Sequence, residues 1–284
     1  MTAVRQRHPW VPYALLLPGG LWLVVFFVLP LFTLASTSLQ EGSISTGYEL
    51  TWRVGNYTDA LGTFSSQFAR SFRYAGIATV LALIISYPLA YTIAFKAGRW
   101  RNLMLLLVVA PFFTSFLIRT LSWKIILSDS GIVVSTLQAI GILGPNGRLL
   151  ATSAAVIAGL TYNFLPFMTL PLYAALERMD PRLIEAAGDL YANPFTAFWK
   201  VTWPLSLPGV VAGTLLTFIP ASGDFINARL LGTPSQFMIG NVIESRFLVG
   251  LDYPTAAALS LTLMMTILIA VVVYVRRAGT EELV

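Results

Sequence analysis

Cysteine is absent from the 284 residues, and histidine occurs once, as His8. The first absence excludes a disulfide framework and a thiolate metal site. The second removes His-based zinc ligation and Ser-His-Asp nucleophilic catalysis, both of which need partners the chain lacks. Charge is scarce too: 18 Lys and Arg with 13 Asp and Glu make up 11% of the chain. Soluble proteins carry roughly 25%. The hydrophobic class reaches 56% and mean hydropathy is +0.75. So few charges cannot cover a soluble domain, and so much apolar surface excludes disorder. Lipid is the solvent these numbers imply. The net charge of +5 and pI near 9.6 then read as membrane topology and not as nucleic-acid binding, because Lys and Arg collect in cytoplasmic loops.

Long apolar runs are what the chain has in quantity. A spanning helix needs about 20 such residues. Six segments qualify, at about 12–35, 74–95, 103–126, 151–176, 205–222 and 256–275. Period-2 alternation is missing, so helices and not a barrel are expected. The first run is too long for a signal-peptide core and no clean A-x-A site follows it, so it is expected to stay. Arg5 and Arg7, then Lys96, Arg99 and Arg101, then Arg178, Arg182 and Lys200, then Arg276 and Arg277 fall on one side of these runs. The other side spreads its basic residues over nearly twice the length. The denser side is expected to be cytoplasmic, with both termini inside. The apolar stretch 132–143 is too short to span and reads as a helix at the interface or against the other helices. No internal repeat, low-complexity tract or linker occurs, so 1–284 reads as a single transmembrane domain.

The loop at 177–204, between the fourth and fifth runs, is dense in charge. Asp180 is a helix N-cap with Pro181 after it. Leu183, Ile184, Ala187, Leu190 and Tyr191 share one apolar face, with Arg182, Glu185 and Asp189 opposite. Asn193 and Pro194 repeat the start signal, and Phe195, Phe198, Trp199 and Thr202 share a second face. Pro204 and Pro208 are expected to end it. Two short amphipathic helices meeting at Ala192 and Asn193 would form a knob. Such a pair could float at the headgroups. Its acidic edge suits an anionic leaflet badly and fits a helix-in-groove contact with a protein.

These residues carry a resemblance. Glu185-Ala186-Ala187, Ala192 and Val201-Thr202-Trp203-Pro204 resemble the E-A-A…G…I-x-L-P loop of permease subunits of binding-protein-dependent ABC importers. The family's Gly falls at Tyr191, its Ile at Val201 and its Leu at Trp203. The stretches Pro111 to Leu127, Tyr162 to Asp180 and Phe218 to Pro234 resemble the spermidine/putrescine branch, and within it the first permease of the pair. The resemblance covers most of 105–260. It implies an all-α membrane protein with six transmembrane helices in the ABC importer permease (methionine-importer-like) fold, an N-terminal helix packing around a five-helix core. It also implies a permease of the bacterial plasma (inner) membrane for polyamines, with an importer permease for another small solute as the alternative. In that family the loop is a coupling helix that docks in the ATPase, which here assigns Glu185, Ala186, Ala187, Asp189, Leu190, Tyr191, Ala192, Asn193 and Pro194 to ATPase coupling. The implied partners are a cytoplasmic ABC ATPase dimer, a second permease and an extracytoplasmic solute-binding protein. The chain has no G-x-x-x-x-G-K-[ST] loop, so ATP and Mg are expected on the ATPase, with no cofactor bound by this chain. A stand-alone secondary transporter would need coupling acids within its spans, and Asp224 is the one acid near a span.

A few residues stand out inside or beside the spans. Arg119 and Lys124 near the end of the third run are interfacial anchors, or Arg119 and Trp123, four apart, turn one face to the pathway or the second permease. Tyr162 and Asn163 lie in the fourth run, where Pro166 and Pro171 are expected to bend or loosen the helix. Asp224, after Pro220 and Gly223, is either an N-cap or a carboxylate at the mouth of a pathway for a polycation. Arg119, Trp123, Tyr162, Asn163 and Asp224 are thus the pathway candidates. The rows Gly209-x-x-x-Gly213 and Ala151, Ala155, Gly159 are packing signals.

Overall fold

A computed structural model describes residues 11–278 of the chain. Arg5, Arg7 and His8 lie outside the described residues. Contacts divide the chain into two compact units, one of residues up to Thr63 with Ser245–Thr262, the other of Phe64–Glu244 with residues from Leu263 on.

In the first unit, Val11–Leu23 and Leu29–Ser38 run together through a π-turn at Val24–Val28 as α1. Its large apolar side chains are exposed along its length, as a helix solvated by lipid requires. A short antiparallel hairpin follows, β1 (Gln40–Ser43) and β2 (Gly47–Leu50), with Gln40 opposite Leu50 and Ser43 opposite Gly47. The wholly helical expectation has no place for it. Its cause is local. Gly42 and Gly47 take φ of +133° and +84°, and a Cβ on Gly42 would lie 2.0 Å from Gly47 O. Arg53 pairs with Glu41 and Asp59 beside it, and the Tyr48 hydroxyl donates to Leu251 O.

Helix α2 (Gly55–Lys96) leaves helical geometry at Phe64. The second unit then holds α3 (Gly98–Phe113), α4 (Phe116–Ile126), α5 (Ile132–Ala139), α6 (Ser153–Glu177), α7 (Arg182–Asp189), α8 (Pro194–Ser222), α9 (Ile226–Leu231) and α10 (Ile239–Glu244). Helix α11 (Tyr253–Ala278) closes the described chain. Among the described residues five helices are long and apolar enough to cross a membrane, or six when α3 and α4 count as one bent span.

Helix α6 is apolar on nearly every side and is buried accordingly. Its N-terminal half joins Tyr74 and Ala78 of α2, Leu231 of α9 and Met238 through Val156, Leu160 and Phe164. Its other half joins Tyr87 and Ile93 of α2 and Val210 of α8 through Met168, Leu172 and Leu176. Gly209 and Gly213 of α8 lie against Leu172 and Met168 of α6. The small residues therefore do bring spans four and five together. Gly159 abuts Leu231 and Asn227 of α9 instead, and Ala151 lies before α6, at φ +64°. Val134 of α5 is fully buried, whereas Ile132, Ile140 and Ile142 are exposed, so the 132–143 patch packs against the protein through Val134 and leaves its other apolar residues open.

Two expectations are corrected. The third run is not one helix from 103 to 126: α3 tightens into a 3₁₀ turn at Ala110–Phe113, stops, and resumes as α4 after a bend of 96°. Pro111 has no N–H to continue the α-helical ladder, and Thr114 and Ser115 take extended ψ values of 142° and 138°. Nor do Pro204 and Pro208 end the segment after the knob. Helix α8 starts at Pro194 and runs through both to Ser222. A π-turn at Phe198–Thr202, with Trp203 N–H bonded to Phe198 O, shifts the hydrogen-bond register just before Pro204, where a donor is about to be lost. The second knob helix is thus the first two turns of the fifth span.

Candidate functional site

The knob is built by its caps. Asp180 Oδ1 accepts from Arg182 N–H at 3.0 Å and starts α7. Asn193 Oδ1 accepts from Thr196 N–H at 2.8 Å and starts α8, with Pro194 at its first position. Between them Ala192 N–H bonds Ala187 O at 3.0 Å and Tyr191 N–H bonds Gly188 O at 2.9 Å. That is the Schellman closure, and it places Tyr191 at the position where a left-handed residue is required. Tyr191 takes φ +61° there. This is the place of the family's glycine, and the turn forms with tyrosine at a conformational cost of about 1–2 kcal/mol. Tyr191→Gly is expected to slow hydrogen exchange of the Ala192 amide roughly fivefold, by stabilising this closure about 1 kcal/mol. Unchanged or faster exchange would show that the turn is held by other contacts.

One face of the knob is anchored. Ile184, Phe198 and Trp203 pack on the lower cluster of the second unit. The Tyr87 ring of α2 lies 5.4 Å from those of Phe198 and Trp203, and its hydroxyl shares a hydrogen bond of 2.7 Å with Ser206 Oγ. The other face is open. Leu183, Leu190, Phe195 and Trp199 are exposed, and Tyr191 is 100% exposed. Glu185, Ala186, Asp189, Asn193 and Pro194 are exposed beside them, with Ala187 and Ala192 half-buried. A cavity of about 220 Å³ opens between α7 and α8, lined by Tyr91, Ile184, Gly188, Ala192, Ala197 and Phe198 among others. The open face is thus an apolar stripe bordered by two carboxylates, the composition of a surface that can receive a protein.

The five pathway candidates lie on α4, on α6 and just before α9. The Trp123 ring meets Tyr162 edge-on at 5.3 Å. Asn163 is buried and donates through Nδ2 to Thr120 Oγ1 at 3.2 Å and to Asn227 Oδ1 at 3.0 Å. Asp224 Oδ1 accepts from Asn227 N–H at 2.8 Å in the first turn of α9. The structure therefore joins Asn163 to Asp224 through Asn227, and sets Trp123 on Tyr162. Arg119 touches none of these side chains and stacks on Phe112 and Phe116. Burial pushes the Asp224 carboxyl up to about 6, against the lowering by hydrogen bonding from Asn227. The corner is held tightly: a Cβ on Gly240 would lie 2.5 Å from Gly223 O, and Asn241 Nδ2 donates to Phe225 O at 2.7 Å.

Thr120 and Asn227 are the members of this cluster that residue types did not single out. The Asp224-x-x-Asn227 spacing is a helix-start signal and could have drawn attention to Asn227. Asn163 Oδ1 and Asn227 Nδ2 remain without a partner although buried. Asn163→Leu would add the Asn227 acceptor to these orphans and is expected to destabilise the chain by about 1–3 kcal/mol. The double change Asn163→Leu with Asn227→Leu should lose less than the two single losses added, since the amides satisfy each other. Thermal midpoints of detergent-purified chain test this, and strict additivity would refute it.

No protein-family model matches the chain. The chain is 41% identical over 255 residues to the spermidine/putrescine transport system permease protein PotB of Haemophilus influenzae, covering 89% of this chain and 88% of that one. It is 37% identical to the PotB permease of Escherichia coli, over 90% of this chain and 93% of the relative, and 34% identical to the inner membrane ABC transporter permease protein YdcU of the same organism, over 75% and 71%. Among solved structures, a chain of a bacterial alginate ABC transporter, in complex with an alginate pentasaccharide-bound periplasmic protein, superposes with a TM-score of 0.71 at 20% identity, covering 96% of this chain and 95% of that one. A second alginate importer structure gives 0.68 at 20%. These likenesses establish the fold.

Proposed function

The chain belongs to the permease family of spermidine/putrescine transport systems, and from that premise we propose that it is the membrane permease of an ATP-driven importer of polyamines. It is a multi-pass protein of the plasma membrane. The observation that carries the reading is the 41% identity to a spermidine/putrescine permease across 89% of the chain. In this reading a second permease completes the pathway, a solute-binding protein delivers the cargo, and a separate ATPase dimer supplies the energy. This chain binds no nucleotide itself.

The density of Lys96, Arg99, Arg101, Arg178, Arg182 and Lys200 supports a cytoplasmic knob, on the side where the ATPase would work. Closure of the ATPase dimer would press on the open face of α7 and on Phe195. A contiguous set of contacts supports a route inward: Phe198 and Trp203 bear on Tyr87, and Tyr87 is hydrogen-bonded to Ser206, so a displaced knob would bear on α2 and α8. The cluster of Trp123, Tyr162, Asn163 and Asp224 gathers around the N-terminal half of α6, away from the knob, and contains rings, a buried amide and a buried carboxylate, groups suited to ammonium ions.

The test is reconstitution of the chain in proteoliposomes with its second permease, ATPase and binding protein, followed by uptake of labelled spermidine and putrescine. Uptake that needs both ATP and the binding protein is expected. ATP-dependent uptake of another solute with none of either polyamine would overturn the cargo. Uptake by this chain alone on an ion gradient would overturn the subunit assignment.

A further inference from the structure

Among the described residues, no hydrogen bond or ion pair answers the charge of Arg119. It is only 9% exposed. Its Nε and Nη1 are enclosed without a hydrogen-bond partner. Its guanidinium carbon lies 5.6 Å from the ring centroids of both Phe112 and Phe116, which flank the break between α3 and α4. Ion pairs among the described residues use Arg53, Arg101, Arg148, Arg229 and Arg246, not Arg119. Two aromatic faces return part of what a guanidinium loses on leaving water, but enclosing a lone charge loses far more. Ionisable groups inside membrane proteins are accordingly found in pairs.

We infer that Arg119 forms an ion pair with a carboxylate of the second permease subunit, received at the break between α3 and α4. This rests on the reading of the chain as one of a permease pair. The class of partner follows from charge: a guanidinium takes a carboxylate, here at Nη2, which is not among the enclosed atoms. The proposed cargo is a polycation and cannot be the counter-charge. A lipid phosphate is opposed by exposure. A headgroup-seeking cation reaches outward, as the exposed Lys124 at the end of α4 does, whereas Arg119 is held inward between two rings. The 96° bend interrupts the helix beside Arg119, and it is at this break that the inference places the neighbouring subunit.

The experiment uses the complete transporter, with a photo-crosslinking amino acid at position 119 and mass spectrometry of the product. Crosslinks to a segment of the second permease bearing Asp or Glu are expected. Arg119→Asp should lower polyamine uptake roughly thirtyfold or more, and replacing the identified carboxylate by Arg in the second permease should restore most of it. Arg119→Met, which keeps the packing volume, is the companion variant, with the amount of assembled transporter measured alongside. Crosslinks to lipid alone, failure of the swap to rescue, or full uptake with Arg119→Met would each overturn the ion pair. If the unaltered chain co-purifies with a second permease while any of these occurs, the inference alone falls. If no second permease co-purifies, the permease-pair reading falls with it.

Discussion

Glu185→Arg and Phe195→Asp are each expected to abolish polyamine uptake without reducing the amount of chain in the membrane. Both side chains lie on the open face of the knob, and neither supports the chain's own core. Folding therefore loses little when they change, since exposed substitutions away from special features shift stability by about 0.5 kcal/mol or less. Docking should lose much more. Phe195 is 72% exposed and is the aromatic most suited to anchor in a cleft. Anchor residues of this kind contribute about 2 kcal/mol or more to an interface, roughly thirtyfold in affinity. Reversing the charge of Glu185 adds repulsion against whichever basic group faces it across the interface. The measurement is retention of the ATPase by membranes carrying each variant, with uptake in parallel. Normal retention and uptake for both would remove the knob from the coupling role.

The knob was legible because its signals are local. Asp180-Pro181 and Asn193-Pro194 state two helix starts in residue types alone, and the structure places hydrogen bonds from Arg182 and Thr196 on those two side chains. The left-handed turn was legible only as an oddity, a tyrosine where the E-A-A…G pattern that this loop resembles has glycine, until φ at Tyr191 explained it. The bend after Phe113 was not legible. Apolar composition is nearly the same on both sides of Thr114, and hydropathy reports the solvent of a segment, not its direction. The same holds for α8: Pro204 and Pro208 look like terminators because their missing donors are visible in the sequence, whereas the π-turn that accommodates Pro204 is a matter of hydrogen-bond register. The buried amides were half legible. Asn163 is conspicuous in an apolar run, but its partner Asn227 lies 64 positions away, and that pairing is tertiary.

Gly209→Val is expected to prevent stable folding of the second unit, the largest stability effect of any single change considered. A Cβ at Gly209 would lie 2.6 Å from Ala175 Cβ, 2.8 Å from Pro171 O and 3.2 Å from Leu172 Cα. Two of these atoms are backbone of α6 and the third is a methyl fixed to it, so no side chain can swing aside. The helices must separate. In lipid little opposes separation except the contact itself, because apolar side chains are as well solvated by acyl chains as by each other. Overpacking of this kind costs about 3 kcal/mol, at the upper end of the usual range, and valine adds two further methyl groups. Gly213→Ala should be milder, at about 1 kcal/mol, since the nearest atom is Met168 Sδ at 2.8 Å, the movable part of a flexible side chain. Gly188→Ala supplies the opposite sign. Nothing lies within 4 Å of its Cβ position, it sits inside α7, and alanine there favours the helix by up to about 1 kcal/mol. Thermal midpoints in one detergent should therefore rank Gly209→Val below Gly213→Ala, Gly213→Ala below the unaltered chain, and Gly188→Ala at or above it. The ranking separates steric contact from the general intolerance of membrane helices to change. If all three substitutions lowered the midpoint equally, close approach of α6 and α8 through Gly209 would not be what joins the cluster around Asn163 to the knob that the ATPase is proposed to drive.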